Sequence, residues 1–288
     1  VKKILLVFVL VFLAFMTSLV LATKRLEPIN QMYIFGDSLS ATGTLSQATI
    51  ETYLLKQGYS QGRYSNGSVW IDYLASDLHL ASSQINNFAR GGATTGSEGN
   101  SLVPGLLTQV QLFVQTQRQT KPNALYVLWA GANDYLQGVS NATVPVENIT
   151  QAISSLANND ASTLLVANLP DLGQLPATRS GANSERLSAL TTAHNQGLRR
   201  ALKLLSQQYS QLQIVTLDAN ALYREAIANP AAFGFSNVTS ACLSGAGSCS
   251  KPDQFLFWDG IHPTSAAHRV IAERAFSILE AGNPTTSR

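Results

Sequence analysis

Five short runs, residues 32–35, 85–89, 125–130, 163–168 and 212–217, are nearly continuous in apolar character and too short for ordinary helices. A strand that is apolar on both sides must be covered on both sides, which is the situation of a parallel sheet. Longer stretches with helical spacing of apolar residues lie at 69–78, 104–117, 146–156, 184–209 and 219–227. Strand and helix in alternation predict an α/β fold: a mainly parallel sheet of five strands with helices on both faces. A last helix is expected from Thr264, its cap, through Val270, Ile271, Phe276 and Leu279. There is no internal repeat and no low-complexity linker, so residues 23–288 read as one domain.

Residues 1–22 stand apart from that pattern. Lys2 and Lys3 precede an apolar run at 4–16, and Val20 and Ala22 suit the small-residue positions before a cleavage site. The segment reads as a signal peptide cut after Ala22. An uncleaved membrane anchor is the rival reading, favoured by Lys24 and Arg25 beyond the run. Removal of Lys2 and Lys3 brings the 19 Lys and Arg level with the 17 Asp and Glu. Such a balance offers no basis for binding nucleic acid or an anionic membrane, since both need clustered surplus cations. The expected location is secreted or periplasmic, with membrane contact only through the N-terminal segment or a lipid substrate. Export makes a disulfide the natural reading of the two cysteines, Cys242 and Cys249. Closing so short a loop contributes about 2 to 3 kcal/mol, enough to shape a loop and not to hold the fold. Two sulfur ligands are too few for a zinc site, and no metal or cofactor is expected.

Ligands of a parallel sheet bind beyond the carboxyl ends of its strands, so the residues after each strand are where chemistry is sought. The first strand runs into Gly36, Asp37 and Ser38, the second into Gly91 and Gly92, and the third into Gly131, Ala132, Asn133 and Asp134. Near the C-terminus stand Asp259, Gly260, Ile261, His262 and Pro263. Singly these are ordinary turn and cap residues. Together they fill every role in acyl transfer: a nucleophile, a base, a group that orients the base, and oxyanion donors. Ser38, at the mouth of a helix, is the candidate nucleophile. His262, held extended by Pro263, is the candidate base, and Asp259 is near enough to fix its tautomer. The backbone N–H groups of Ser38 and Gly92 and the side-chain amide of Asn133 are the candidate oxyanion hole. His79, His194 and His268 are expected to be structural, and Asp37 and Asp134 to tie down loops.

These residues resemble the GDSL esterase and lipase family, the SGNH hydrolases, in its plant-type and bacterial lipase-like branch. The similar blocks are residues 36–39 around Ser38, 87–93 ending at Gly92, 131–134 around Asn133 and 259–264 with Asp259 and His262, in the order that the family has them. Further similarities are residues 62–67, Gly-Arg-Tyr-Ser-Asn-Gly, and the segment 233–258 with its cysteine pair. The resemblance implies a flavodoxin-like α/β/α sandwich that hydrolyses carboxylic esters without a metal. That branch usually carries Asp where this chain has Ala41 and Asn where it has Thr44, which implies a different tethering of the loop beside Ser38.

A near-neutral surface with apolar trim fits a lipid or acyl ester better than a charged polysaccharide. Acyl transfer to an alcohol, removal of acetyl groups from carbohydrate, and an exported ligand-binding protein without catalysis remain alternatives. Residues 229–258 show neither strand nor helix pattern. Their aromatics, Phe233, Phe235, Phe255, Phe257 and Trp258, either shape the acyl side of the site or pack the last sheet edge.

Overall fold

Successive side chains of a strand point to opposite faces, so a nearly continuous apolar strand feeds two cores at once. The computed structural model describes residues 29–43, 58–97, 103–116, 123–245 and 247–281; the expected leader at 1–22 and Thr44 lie outside them. In chain order come β1 (Gln31–Gly36), α1 (Trp70–Asp77), β2 (Ile85–Asn87), α2 (Leu106–Thr116), β3 (Ala124–Trp129) and the short α3 (Ala132–Leu136). Then follow α4 (Thr143–Ala157), β4 (Thr163–Ala167), α5 (Ser184–Gln208), β5 (Gln213–Leu217) and α6 (Ala219–Ala228). The chain closes with β6 (Asn237–Ala241), β7 (Leu243–Ser244), β8 (Gly247–Ser248), β9 (Phe255–Phe257) and α7 (Ser265–Ala281).

Five strands form one sheet in the order β2-β1-β3-β4-β5, and every pairing is parallel. Met32 and Ile34 of β1, Leu125, Val127 and Trp129 of β3, and Leu165 of β4 face a core closed by α1, α6 and α7. Their neighbours Tyr33, Phe35, Tyr126, Leu128, Leu164 and Val166 face the other core, closed by α2, α4 and α5. The result is a three-layer α/β/α sandwich, as the alternation of runs predicts. No helix among the described residues is long and apolar enough to cross a membrane.

Residues 229–258 are more regular than their sequence implies. β6 pairs parallel with β9 through an irregular register, and β7 and β8 make a small hairpin. Cys242 and Cys249 are joined by a disulfide, which brackets that hairpin. β6 reads Asn-Val-Thr-Ser-Ala and is half exposed, so backbone pairing and not an apolar run defines it. Phe235, Phe257 and Trp258 are buried, and Phe235 and Phe257 belong to the core beside α6 and α7. They pack the end of the sheet, and the acyl-side alternative for these two is set aside.

The end of β1 depends on one polar side chain within an apolar helix face. Gln109 of α2 is 1% exposed; its Oε1 accepts the Gly36 N–H at 2.8 Å and its Nε2 donates to the Gly36 carbonyl at 2.9 Å. Both backbone groups two residues before Ser38 are thereby satisfied inside the core. A Gln109→Leu substitution keeps the volume and leaves the Gly36 N–H buried without an acceptor, which should cost about 1 to 3 kcal/mol. Urea unfolding measures this, and an unchanged midpoint would show that Gly36 finds another partner.

Candidate active site

Past β1 the chain turns sharply. The Asp37 N–H donates to the Trp129 carbonyl, the N–H groups of Ser40 and Ala41 return to the Asp37 carbonyl, and the Asp37 carboxylate accepts the Leu39 N–H at 3.0 Å. Ser38 sits at the crest of this turn, 8% exposed. The loop around Ala41 is held by side chains from other elements. Asn87 donates to the Ser40 carbonyl at 2.7 Å and to Thr42 Oγ1 at 3.0 Å, and the Trp70 indole donates to Ser40 Oγ at 3.1 Å.

His262 arrives from the far end of the chain. Its Nε2 lies 2.8 Å from Ser38 Oγ, and its Nδ1 lies 2.7 Å from Asp259 Oδ2. Asp259 also accepts two backbone N–H groups on Oδ1, from Ile261 at 2.7 Å and His262 at 2.6 Å. The Tyr59 hydroxyl donates to Oδ2 at 2.6 Å. This local turn, closed on one carboxylate, is why the acid and the base can lie three residues apart. The loop at 62–67 pins the next stretch: Ser65 Oγ donates to the Pro263 carbonyl, Asn66 accepts the Ser265 N–H, and Arg63 pairs with Asp72 of α1 through two hydrogen bonds. The Tyr64 ring lies 5.2 Å from the His262 ring. A Cβ on Gly91 would overlap the Tyr64 hydroxyl, so only glycine lets the loop after β2 approach this ring.

Gly92 and Asn133 follow the two strands that flank β1. Gly92 has φ +81, favoured by glycine, and no atom lies within 4 Å of where a Cβ would stand. Among the described residues neither the Ser38 nor the Gly92 backbone N–H has a hydrogen-bond partner. Asn133 Nδ2 spends one hydrogen on the Ala93 carbonyl at 2.9 Å, which fixes the amide beside the Gly92 loop and leaves its second hydrogen to donate. Asp134 takes the Thr95 N–H and hydroxyl on its two oxygens and ties that loop to α3. The structure thus brings Ser38, Asp259 and His262 into one hydrogen-bonded line, with Gly92 and Asn133 on the same sheet edge.

The other histidines stand elsewhere. His194 is buried in α5, its Nδ1 2.8 Å from the Tyr135 hydroxyl, and burial pushes its imidazole down to about 4. His268 is buried in α7, where desolvation and then the charge of His262 push it down to about 3. His79 is exposed after α1. Two residues of the site went unnoticed in the sequence: Tyr59, which has no pattern to mark it, and Gln109, whose sole signal is a polar residue on the buried side of an apolar helix.

Two carboxylates in this site, the buried Asp37 and the part-buried Asp259, behave oppositely. Burial works to raise Asp259, but the hydrogen bond and charge of His262, with the Tyr59 hydroxyl and the His262 N–H, outweigh it and hold the group down to about 2. Burial dominates at Asp37 and, against the Leu39 N–H and the charge of His262 and with the help of Asp134, pushes it up to about 7. Between the ordinary value of 3.8 and about 7 the folded protein therefore holds a proton on Asp37 that the unfolded chain releases. Stability from this group is full below that window and is lost as the pH rises through it. Asp37→Asn keeps the oxygen that accepts from Leu39 and removes the titration. The variant should gain stability relative to the parent between pH 4 and pH 8, read as a melting-temperature difference that widens with pH, whereas parallel pH curves would contradict it.

A family model for GDSL-like lipases and acylhydrolases matches residues 32–275. The chain is 29% identical over 309 residues to the phosphatidylcholine-sterol acyltransferase of Aeromonas hydrophila, covering 87% of this chain and 90% of that one. It is 25% identical over 313 residues to a GDSL esterase/lipase of Arabidopsis thaliana, covering 85% and 86%. Among solved structures, the native aryl esterase of M. smegmatis shares the fold, with a TM-score of 0.54 at 14% identity over 88% of this chain and 99% of that one. The family match runs through both cores and every residue of the site, and the chain belongs to the GDSL lipase/acylhydrolase family of carboxylic ester hydrolases.

Proposed function

We propose that the chain is an exported serine esterase or lipase that hydrolyses lipid or acyl esters through an acyl-enzyme on Ser38. The observation that carries this reading is the unbroken relay from Ser38 Oγ to His262 Nε2 at 2.8 Å and from His262 Nδ1 to Asp259 Oδ2 at 2.7 Å. His262 takes the Ser38 proton as the oxygen attacks the ester carbonyl, and Asp259 holds the ring in the tautomer that can accept it. The Ser38 and Gly92 N–H groups and the free hydrogen of Asn133 receive the developing oxyanion. His262 then gives its proton to the departing alcohol. Water enters by the same route in reverse and releases the acid.

Export rests on the basic and apolar character of residues 1–22, with cleavage after Ala22, and on a disulfide suited to an oxidising compartment. The substrate is a small-molecule or lipid ester; the balance of charge favours an uncharged acyl group over a polyanion. Transfer to an alcohol is the second reading, favoured by the likeness to an enzyme named as a sterol acyltransferase. Both acceptors attack the same acyl-enzyme, so product analysis with a sterol added to the lipid ester separates them.

Hydrolysis of p-nitrophenyl esters from acetyl to palmitoyl tests the reaction. Ser38→Ala should lower kcat by about 10⁴-fold or more in folded protein, and equal rates in both proteins would remove Ser38 as the nucleophile. Asn133→Ala should lower kcat by about 10²- to 10³-fold with KM little changed. A loss confined to KM would place Asn133 in ground-state binding instead.

A further inference from the structure

Tyr59 lies 200 residues from Asp259 in sequence, and its hydroxyl donates to Asp259 Oδ2, the same oxygen that faces His262 Nδ1. Its neighbourhood is built from three sides. A Cβ on Gly58 would stand 3.4 Å from Leu243 and 3.6 Å from Trp258, so the chain entering Tyr59 lies against the disulfide-bracketed hairpin and the residue just before Asp259. That hairpin is joined to the same strand: the Leu243 N–H donates to the Trp258 carbonyl and the Cys242 N–H to the Phe257 carbonyl. The Tyr59 ring meets the Tyr64 ring edge-on at 6.1 Å, and Tyr64 in turn lies against the His262 ring. Backbone and ring are therefore both located, and the hydroxyl is aimed.

We propose that Tyr59 is a positioning residue whose hydroxyl holds the Asp259 carboxylate in place and sets how strongly it acts on His262. The proposal rests on the reading of Ser38, His262 and Asp259 as the catalytic relay. Asp259 Oδ1 is fixed by two backbone N–H groups, while Oδ2 is shared by His262 and Tyr59. A phenolic hydroxyl draws part of the negative charge away from Oδ2, so the carboxylate stabilises a protonated His262 less than it otherwise would. The same bond stops Oδ2 from swinging away from the ring. Without it the base is worse aimed and keeps its proton to higher pH, and both effects appear in turnover and not in ester binding.

The test uses the full chain, p-nitrophenyl butyrate and a pH series, with three substitutions. Tyr59→Phe keeps the ring and its packing and removes the hydroxyl alone. The expected result is a fall in kcat of about tenfold with KM within about twofold. The acid limb of kcat should move to higher pH by about half a unit, with the melting temperature close to that of the parent. The second substitution places 3-fluorotyrosine at position 59, a stronger donor, and should move the acid limb the opposite way. Ser38→Ala is run beside both. If Ser38→Ala is inactive while Tyr59→Phe matches the parent in kcat and acid limb, the positioning role is overturned and the relay stands. A loss of kcat, KM and melting temperature together with an unmoved acid limb in both position-59 variants also overturns it, as packing alone. If Ser38→Ala turns over like the parent, the relay reading fails and the proposal fails with it.

Discussion

A strand covered by helices on both faces has no room for chemistry except past its last residue, and that constraint organises this molecule. Ser38 follows β1, Gly92 follows β2 and Asn133 follows β3, and the sheet order β2-β1-β3 sets the serine between the two candidate donors. The nucleophile's strand lies inside the sheet, next to its β2 edge, and its helpers come from either side. No loop has to travel far to reach it except the one that brings Asp259 and His262, and that stretch is tied down at 62–67, at β9 and by the disulfide hairpin. The interior thus positions the site without contributing a reacting group to it.

Burial pushes up the carboxylates of Asp37, Asp134 and Asp259 alike; at Asp259 the hydrogen bond and charge of His262, with the Tyr59 hydroxyl and the His262 N–H, outweigh it. Asp259 receives four hydrogen bonds and stays an anion, fit to orient an imidazole. Asp37, one residue from Ser38, receives the Leu39 N–H and is pushed toward neutrality by burial. Once protonated, Asp37 leaves the field at Ser38 to His262 and Asp259 and lets the tight turn carry a buried acid without a counter-ion. The two acids have the same chemistry in sequence and different roles in space.

Much of this was legible in the residues. Each of the five strands overlaps a run recognisable by its apolar continuity, and the helices follow the spacing of their buried faces, because burial on two sides leaves that pattern in a sequence. β2 stops at Asn87 although its run continues to Ala89; there the Asn87 side chain accepts the Ala89 N–H and donates to the loop after Ser38. β6 was hidden because a short, half-exposed strand is defined by backbone pairing, which leaves little trace in composition, and β9 because its buried Phe-Leu-Phe is only three residues long. The short helix α3 was hidden behind the Gly-Ala-Asn-Asp motif, which reads as a turn. Tyr59 could not have been found, because nothing local links a tyrosine to a carboxylate 200 residues away.

The central claim is that Ser38 is a nucleophile activated by His262, and covalent capture tests it most directly. The full chain is treated with a serine-directed alkyl phosphonate and the adduct is located by mass spectrometry of peptides. The account predicts one phosphonyl group per chain, on Ser38, formed quickly in the parent and slowly when His262 is replaced by Ala. Folded protein that takes up no phosphonate, or that carries it on another residue, would contradict it.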